Sequence, residues 1–159
     1  HFDKVTPLAD AGYLRSQLAQ ALPRSVAAQE PLSMLTIDLD DFNRVNARYG
    51  HQEGDRVLQL VCQLLLMSLR RHDLLCRLAG DRFAVVLPNT LEEQAQTMAR
   101  ELSQSIAHLA CRSAQQGERI VLSATVVAVM ARQDDAESLL QRSNLAMAHA
   151  KQALLLKRA

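Results

Sequence analysis

Residues Cys76 to Pro88 read CRLAGDRFAVVLP. Two apolar segments, Leu74 to Leu78 and Phe83 to Leu87, flank the tetrapeptide Ala79-Gly80-Asp81-Arg82. Short apolar runs on either side of a Gly-containing link predict a β-hairpin, with Gly80 supplying the backbone freedom of its tip. The tip sets an acid, Asp81, beside a base, Arg82.

The segments around the hairpin alternate in type. Upstream, GDRVLQLVCQLLLMSLRRH carries Leu58, Val61, Leu65 and Leu69 at helical spacing. Asp55 is placed to cap that helix, and Arg70, Arg71 and His72 fall at its end, where cations complement the dipole. Before it, DDFNRVNARYG predicts a short helix stopped by Gly50, and Leu32 to Leu39 a buried strand. Leu14 to Leu22 predicts a helix ended by Pro23, followed by the loop PRSVAAQEP. Downstream, Thr90 and Glu93 have the spacing of a capping box that opens a helix reaching Ala110. Ile120 to Met130 predicts a long strand. Asp134 or Asp135 starts a last helix with Leu139, Leu140, Leu145 and Met147 as core positions. The order αβααββαβα predicts an α/β sandwich with a mixed central sheet flanked by helices.

The 159 residues suffice for one domain with a real core, 1–159, and an apolar content of 48% gives the globular class. Eighteen basic residues stand against 17 acidic ones, so no broad field for nucleic acid exists and an anionic ligand needs a local site. Cys62, Cys76 and Cys111 show no zinc spacing and sit among apolar residues, as buried reduced thiols do. That fits a cytoplasmic domain. The longest apolar stretch is too short to span a bilayer. The chain begins without methionine, which points to a fragment of a longer protein, with any membrane or sensor segment outside it.

Asp38 and Asp40 lie at the end of the first strand and, two residues apart, share a face. If the hairpin pairs with this strand, Asp81 approaches Asp38. Two carboxylates and a carbonyl suit magnesium carried by a nucleotide phosphate. Spacing alone favours a plainer arrangement, with Asp40 and Asp41 capping the next helix and Asp81 filling a turn.

IDLDDFNRVNARYGHQEGD (Ile37 to Asp55) resembles the signature DIDxFKxxNDxxGHxxGD of GGDEF domains, the diguanylate cyclase family. RLAGDRFAVVLP then falls where that family has RxGGDEFxxxLP. DKVTPLADAGYL is similar to DxLTGLxNRRxL, and RSNLAMAHAK to RADxALYxAK. The four motifs occur in order and cover nearly the whole chain. The resemblance implies a nucleotidyl-cyclase-like fold with a ferredoxin-like core, the hairpin carrying the signature. It implies two GTP-loaded domains facing each other as a homodimer, which condense GTP to cyclic di-GMP with Mg2+. By the same resemblance Asp38 and Asp81 would hold the metal, with Asp81 also catalytic. Asn46 and Asp55 would read guanine, and Gly80 and Lys151 would complete the nucleotide site.

This sequence departs from the pattern. Ala79 replaces the first glycine, Arg82 the glutamate and Asn43 a phosphate-binding lysine. Leu154 and Leu155 stand where a late Gly and Arg are usual, and Asp10, Ala11 and Gly12 replace Asn-Arg-Arg. Side-chain alternation along the strand would turn Arg82 away from Asp81 and spare the Asp38–Asp81 pair. The lost countercharges nevertheless imply impaired catalysis. The family's inhibitory motif RxxD, five residues before the signature, is matched by Arg70-Arg71-His72-Asp73. Arg70 can fork onto guanine and Asp73 can accept from it, which implies a cyclic di-GMP receptor site. The plainer alternative for these two is an exposed ion pair at a helix end. The expectation is a regulatory module for GTP or cyclic di-GMP, against an active cyclase or a regulator of a fused EAL phosphodiesterase.

Overall fold

In the computed structural model, which describes residues 8–158, nine elements follow the predicted order. They are α1 (Ala11–Ala28), β1 (Leu32–Leu39), α2 (Phe42–Tyr49), α3 (His51–Ser68), β2 (Leu74–Ala79), β3 (Arg82–Pro88), α4 (Glu92–Ala107), β4 (Ala124–Met130) and α5 (Ala136–Arg158). Residues 3–7 of the motif DKVTPLADAGYL lie outside the described residues.

The sheet runs β2-β3-β1-β4, and its three pairings are antiparallel. The expected mixed sheet is thus antiparallel; the one parallel bridge among the described residues joins Ala9 to Cys76. The cause is topological. Each helical crossover returns a strand in its original direction, so β2 runs parallel to β1 and β4 to β3. Each time, however, another strand is inserted between the two, which is the split βαβ arrangement of a ferredoxin-like core.

Both faces of the sheet are covered, so strand residues are apolar on both sides. Leu35, Ile37, Leu39, Phe83, Val85 and Leu87 pack with α2, α3 and α4. Leu32, Met34, Ala84, Val86 and Val129 pack with α1 and α5. A short polar contact crosses this second face, where the buried hydroxyls of Thr36 and Ser143 hydrogen-bond to each other.

Several boundaries differ from the sequence reading. Pro23 lies inside α1, which continues to Ala28. Burial of Leu14, Leu18 and Leu22 anchors the helix, and Gln29, in the left-handed region at φ 54°, closes it by donating to Ser25 and Val26. Asp10, in the family's Asn position, caps the start of α1 by accepting from the Tyr13 N–H at 3.0 Å. Asp55 is no cap, because α3 begins four residues earlier, directly after Gly50 (φ +91°). Arg70, Arg71 and His72 fall beyond the end of α3 rather than in its last turn. Thr90 does not cap α4; Leu91 holds that position, its N–H donating to Gln94 Oε1 at 2.9 Å. The last strand starts at Ala124 instead of Ile120. Leu145 is exposed, whereas Leu139 and Met147 are buried. Cys62, Cys76 and Cys111 are buried and not joined in disulfides, as expected. No helix among the described residues is long and apolar enough to cross a membrane.

Candidate functional site

The hairpin turn is two residues, Gly80 and Asp81, since Ala79 already pairs with Arg82. Gly80 has φ +24°, and its carbonyl accepts from the buried Arg77 at 2.8 Å (Nε) and 2.5 Å (Nη2). The turn is seated on β1 by the Leu39 N–H, which donates to the Asp81 carbonyl at 3.0 Å.

This seating fixes the register, and with it the electrostatics. Asp38 of β1 stands directly opposite Arg82. The Arg82 guanidinium donates to Asp38 Oδ2 at 3.1 Å, with the Asp38 side chain 14% and the Arg82 side chain 35% exposed. The expectation that alternation would spare Asp38 is corrected here. The strand register aims Arg82 at Asp38, and the same guanidinium also acts electrostatically on Asp81. On the other side, Lys151 of α5 lies 3.8 Å from Asp38 Oδ2 and bonds to Asp40 Oδ1. Asp38 and Asp40 therefore share a face as their spacing predicts, and they share a lysine. Asp40 also accepts from Ser123 at 2.8 Å and Thr125 at 2.7 Å. Burial works to raise the Asp40 carboxyl, but the bonds from Lys151, Thr125 and Ser123 prevail and hold it below its ordinary value. Neither Asp40 nor Asp41 caps α2. Asp41 occupies the cap position in the left-handed region (φ 53°) without a capping bond and pairs instead with Arg158 at 2.8 Å.

Asp81 is half-buried at the tip, and its carboxyl is pushed upward by burial and by the neighbouring Asp38. A magnesium ion asks for near-octahedral oxygen donors carrying negative charge. Here a guanidinium lies on one candidate carboxylate, Asp38, and the other, Asp81, is half-buried, with burial working against its charge. No cluster of three or more His, Cys, Asp or Glu among the described residues is disposed to hold a metal. With the Arg82 guanidinium on Asp38, the residues as they stand do not fit the ion. Beside this group a groove of about 840 Å³ is floored by Thr125 to Ala128 and walled by α4 and α5, with Asp40 in its lining.

Asn46 and Asp55 sit on α2 and α3, on either side of the Gly50 break. Asn46 is half-buried and Asp55 exposed. Gly54, a motif glycine to which the sequence reading gave no role, makes room for Asn46. At Gly54 an added Cβ would fall 1.8 Å from Asn46 Oδ1 and 3.5 Å from the Phe42 ring, so only glycine lets the amide lie against α3. Glu53 was also missed. It is 7% exposed and accepts from the Ala114 N–H at 2.5 Å and from Arg56 at 2.8 Å, tying α3 to the loop before β4. Gly54 matches a letter of the signature, which was the available signal, whereas Glu53 falls at one of its open positions and no periodicity marked it.

Arg70 and Asp73 do meet, in the turn between α3 and β2. The Asp73 side chain is 1% exposed, and it accepts from the Arg70 N–H at 2.8 Å, Nε at 3.1 Å and Nη2 at 2.9 Å. Their pairing raises the arginine further above its ordinary value. Arg70 Nη2 also donates to Thr90 Oγ1 at 2.6 Å and to the Pro88 carbonyl at 3.3 Å. This is a clasp rather than a loose exposed pair. Thr90, read from sequence as a helix cap, is its third member.

Comparison with known proteins agrees with the geometry. A family model described as "Diguanylate cyclase, GGDEF domain" matches residues 1–154. The response regulator PleD of Caulobacter vibrioides is 30% identical over 151 residues, which are 94% of this chain and 33% of PleD. The chain thus spans about a third of that relative's length. The solved GGDEF domain of TpbB (YfiN) from Pseudomonas aeruginosa superposes with a TM-score of 0.90 at 31% identity, over 96% of this chain and 90% of that one. The GGDEF domain of DgcB from Caulobacter crescentus, solved in complex with c-di-GMP, has a TM-score of 0.90 over 96% of this chain and 88% of that one. At 19% identity it attests the fold alone.

Proposed function

Because the chain belongs to the diguanylate cyclase GGDEF-domain family, we propose that it serves cyclic di-GMP signalling as a regulatory module that binds nucleotide without condensing GTP. GGDEF cyclases generally use Mg2+ with GTP. The observation that carries the proposal is the Arg82 guanidinium on Asp38. It neutralises the carboxylate that would face a metal, and Lys151, a would-be phosphate contact, is engaged by Asp40 and Asp38. A triphosphate has to strip both cations from their partners before it gains them. Each such charge-assisted bond is worth about 1.5–3 kcal/mol.

The binding role rests on Arg70 and Asp73, whose position before the hairpin matches the family's RxxD site. Arginine is suited to the O6 and N7 acceptors of guanine. The competing reading is an active cyclase, favoured by the presence of Asp38, Asn46, Asp55, Gly80, Asp81 and Lys151. One pair of measurements separates them. Incubation with GTP and MgCl2, followed by nucleotide chromatography, is expected to give no cyclic di-GMP. Calorimetric titration with cyclic di-GMP is expected to show binding that disappears in Arg70→Ala. Product that vanishes in Asp81→Ala would establish the cyclase instead. A homodimer, a fused EAL or sensor domain and a membrane-anchored parent belong to the same proposal, and the full-length architecture tests them.

A further inference from the structure

The guanidinium of Arg70 has two edges that can present paired donors. The Nε/Nη2 edge is taken by both oxygens of Asp73. On the remaining Nη1/Nη2 edge, the second Nη2 proton goes to Thr90 Oγ1 at 2.6 Å, with the Pro88 carbonyl as a longer acceptor at 3.3 Å. Thr90 therefore stands where one of two ligand acceptors would have to be. The hydroxyl is itself held firmly. Thr90 is 1% exposed, and its Oγ1 donates to the Pro88 carbonyl at 2.8 Å. Its N–H donates to the Pro31 carbonyl at 3.1 Å, and its carbonyl accepts from Ser33 Oγ at 2.7 Å. Asp73, 1% exposed beneath the arginine, offers an incoming base nothing while the clasp is shut.

We propose that Thr90 is a specificity-determining residue of the Arg70–Asp73 site: its hydroxyl competes with the ligand for the one free fork of Arg70. The inference rests on the regulatory reading above. With Thr90 in place, the exposed part of Arg70 offers a base a single donor at Nη1, which any acceptor can take. Once Thr90 lets go, Arg70 presents two parallel donors. Guanine matches these with N7 and O6. Adenine does not, because it pairs an acceptor at N7 with a donor at N6. Thr90 thus limits both the affinity for guanine and the discrimination between purines.

The test is Thr90→Ala, which removes the closer competing oxygen, leaving only the Pro88 carbonyl at 3.3 Å, and keeps the backbone bonds to Pro31 and Ser33, with Thr90→Ser restoring the hydroxyl. Calorimetry is run with cyclic di-GMP and cyclic di-AMP on all three proteins. Release of one charge-assisted bond is expected to tighten cyclic di-GMP binding about tenfold in T90A, with cyclic di-AMP unchanged and T90S like the wild type. Equal shifts for both nucleotides, or none, beside normal wild-type binding of cyclic di-GMP would overturn the role of Thr90 and leave the receptor reading standing. No cyclic di-GMP binding by any of the three overturns both. The unmodified protein gives a second measurement by NMR. The Thr90 methyl resonance should shift with the same cyclic di-GMP midpoint as the Arg70 Nε resonance, and an Arg70 signal that saturates while Thr90 stays put refutes the competition.

Discussion

Replacing Arg82 by glutamate should convert an ion pair into a magnesium site. In the wild type the Arg82–Asp38 bond is 3.1 Å long, and the arginine is 35% exposed. A charge-assisted bond discounted for that exposure contributes about 1–2 kcal/mol. Arg82→Gln should therefore lower the melting temperature by about 2–8 °C, at about 2–4 °C per kcal/mol for a domain of this size. R82E adds a like charge opposite Asp38 and should cost about 2–3 kcal/mol in EDTA. Its new carboxylate and Asp38 are directly opposed in the strand register, with Asp81 at the adjoining turn. Magnesium at about ten times its dissociation constant would then return about 1.4 kcal/mol. The assay is thermal melting by circular dichroism, in EDTA and in millimolar MgCl2 at matched ionic strength. The wild type should not respond, and R82E should gain several degrees in a saturable way. A saturable magnesium response in the wild type would refute the reasoning, since it would show that the site accepts a dication with the guanidinium in place. A flat response in R82E would refute the reasoning that Arg82 is what keeps a dication from Asp38.

Gly54→Ala should cost about 1–3 kcal/mol in urea unfolding, because its Cβ must displace Asn46; an unchanged midpoint would show that α2 and α3 separate freely. Thr36→Val or Ser143→Ala alone should each cost about 1–3 kcal/mol by leaving a buried hydroxyl unpaired, while the double variant should lose less than the sum. Additive losses would show that the two hydroxyls are not each other's partners. Asp134 is held down to about 2 from 3.8, chiefly by its hydrogen bond from Arg142 against some opposing burial. Its folded value is depressed, so its contribution is complete above the unfolded value and is lost as pH falls from 3.8 toward about 2. Asp134→Asn should flatten that limb of the stability–pH curve measured by urea unfolding, and an unaltered acid limb would count against the Arg142 pairing.

What the sequence made legible was set by apolar periodicity. β1 was read to the residue, the hairpin to within one residue at either end, and the element order in full. Departures came where a local signal was outweighed by packing. Pro23 is a strong helix stop, yet the burial of Leu22 and the capping geometry at Gln29 carry α1 beyond it. Thr90 and Glu93 have capping spacing, but the threonine hydroxyl is spent on Arg70 and Pro88, so Gln94 takes over at the helix start. The position of Arg82 was legible and its target was not. Knowing that neighbours in a strand alternate does not say which strand lies alongside or in which register. The seating of the turn on the Leu39 N–H decided that. Gly54 and Thr90 escaped for a related reason, since each matters through a contact made across the fold.

The three buried cysteines are divided between the two sides of the sheet. Cys62 and Cys111 belong to the cluster beneath α2, α3 and α4, and Cys76 to the cluster beneath α1 and α5. Burial pushes the Cys76 thiol up to about 11 and raises Cys111 as well, so neither is a nucleophile while its layer is closed. Each layer thus carries its own native chemical clock. A thiol reagent added to the folded protein labels each cysteine at the rate its layer opens, and mass spectrometry of the labelled peptides times the two layers separately without any engineered probe.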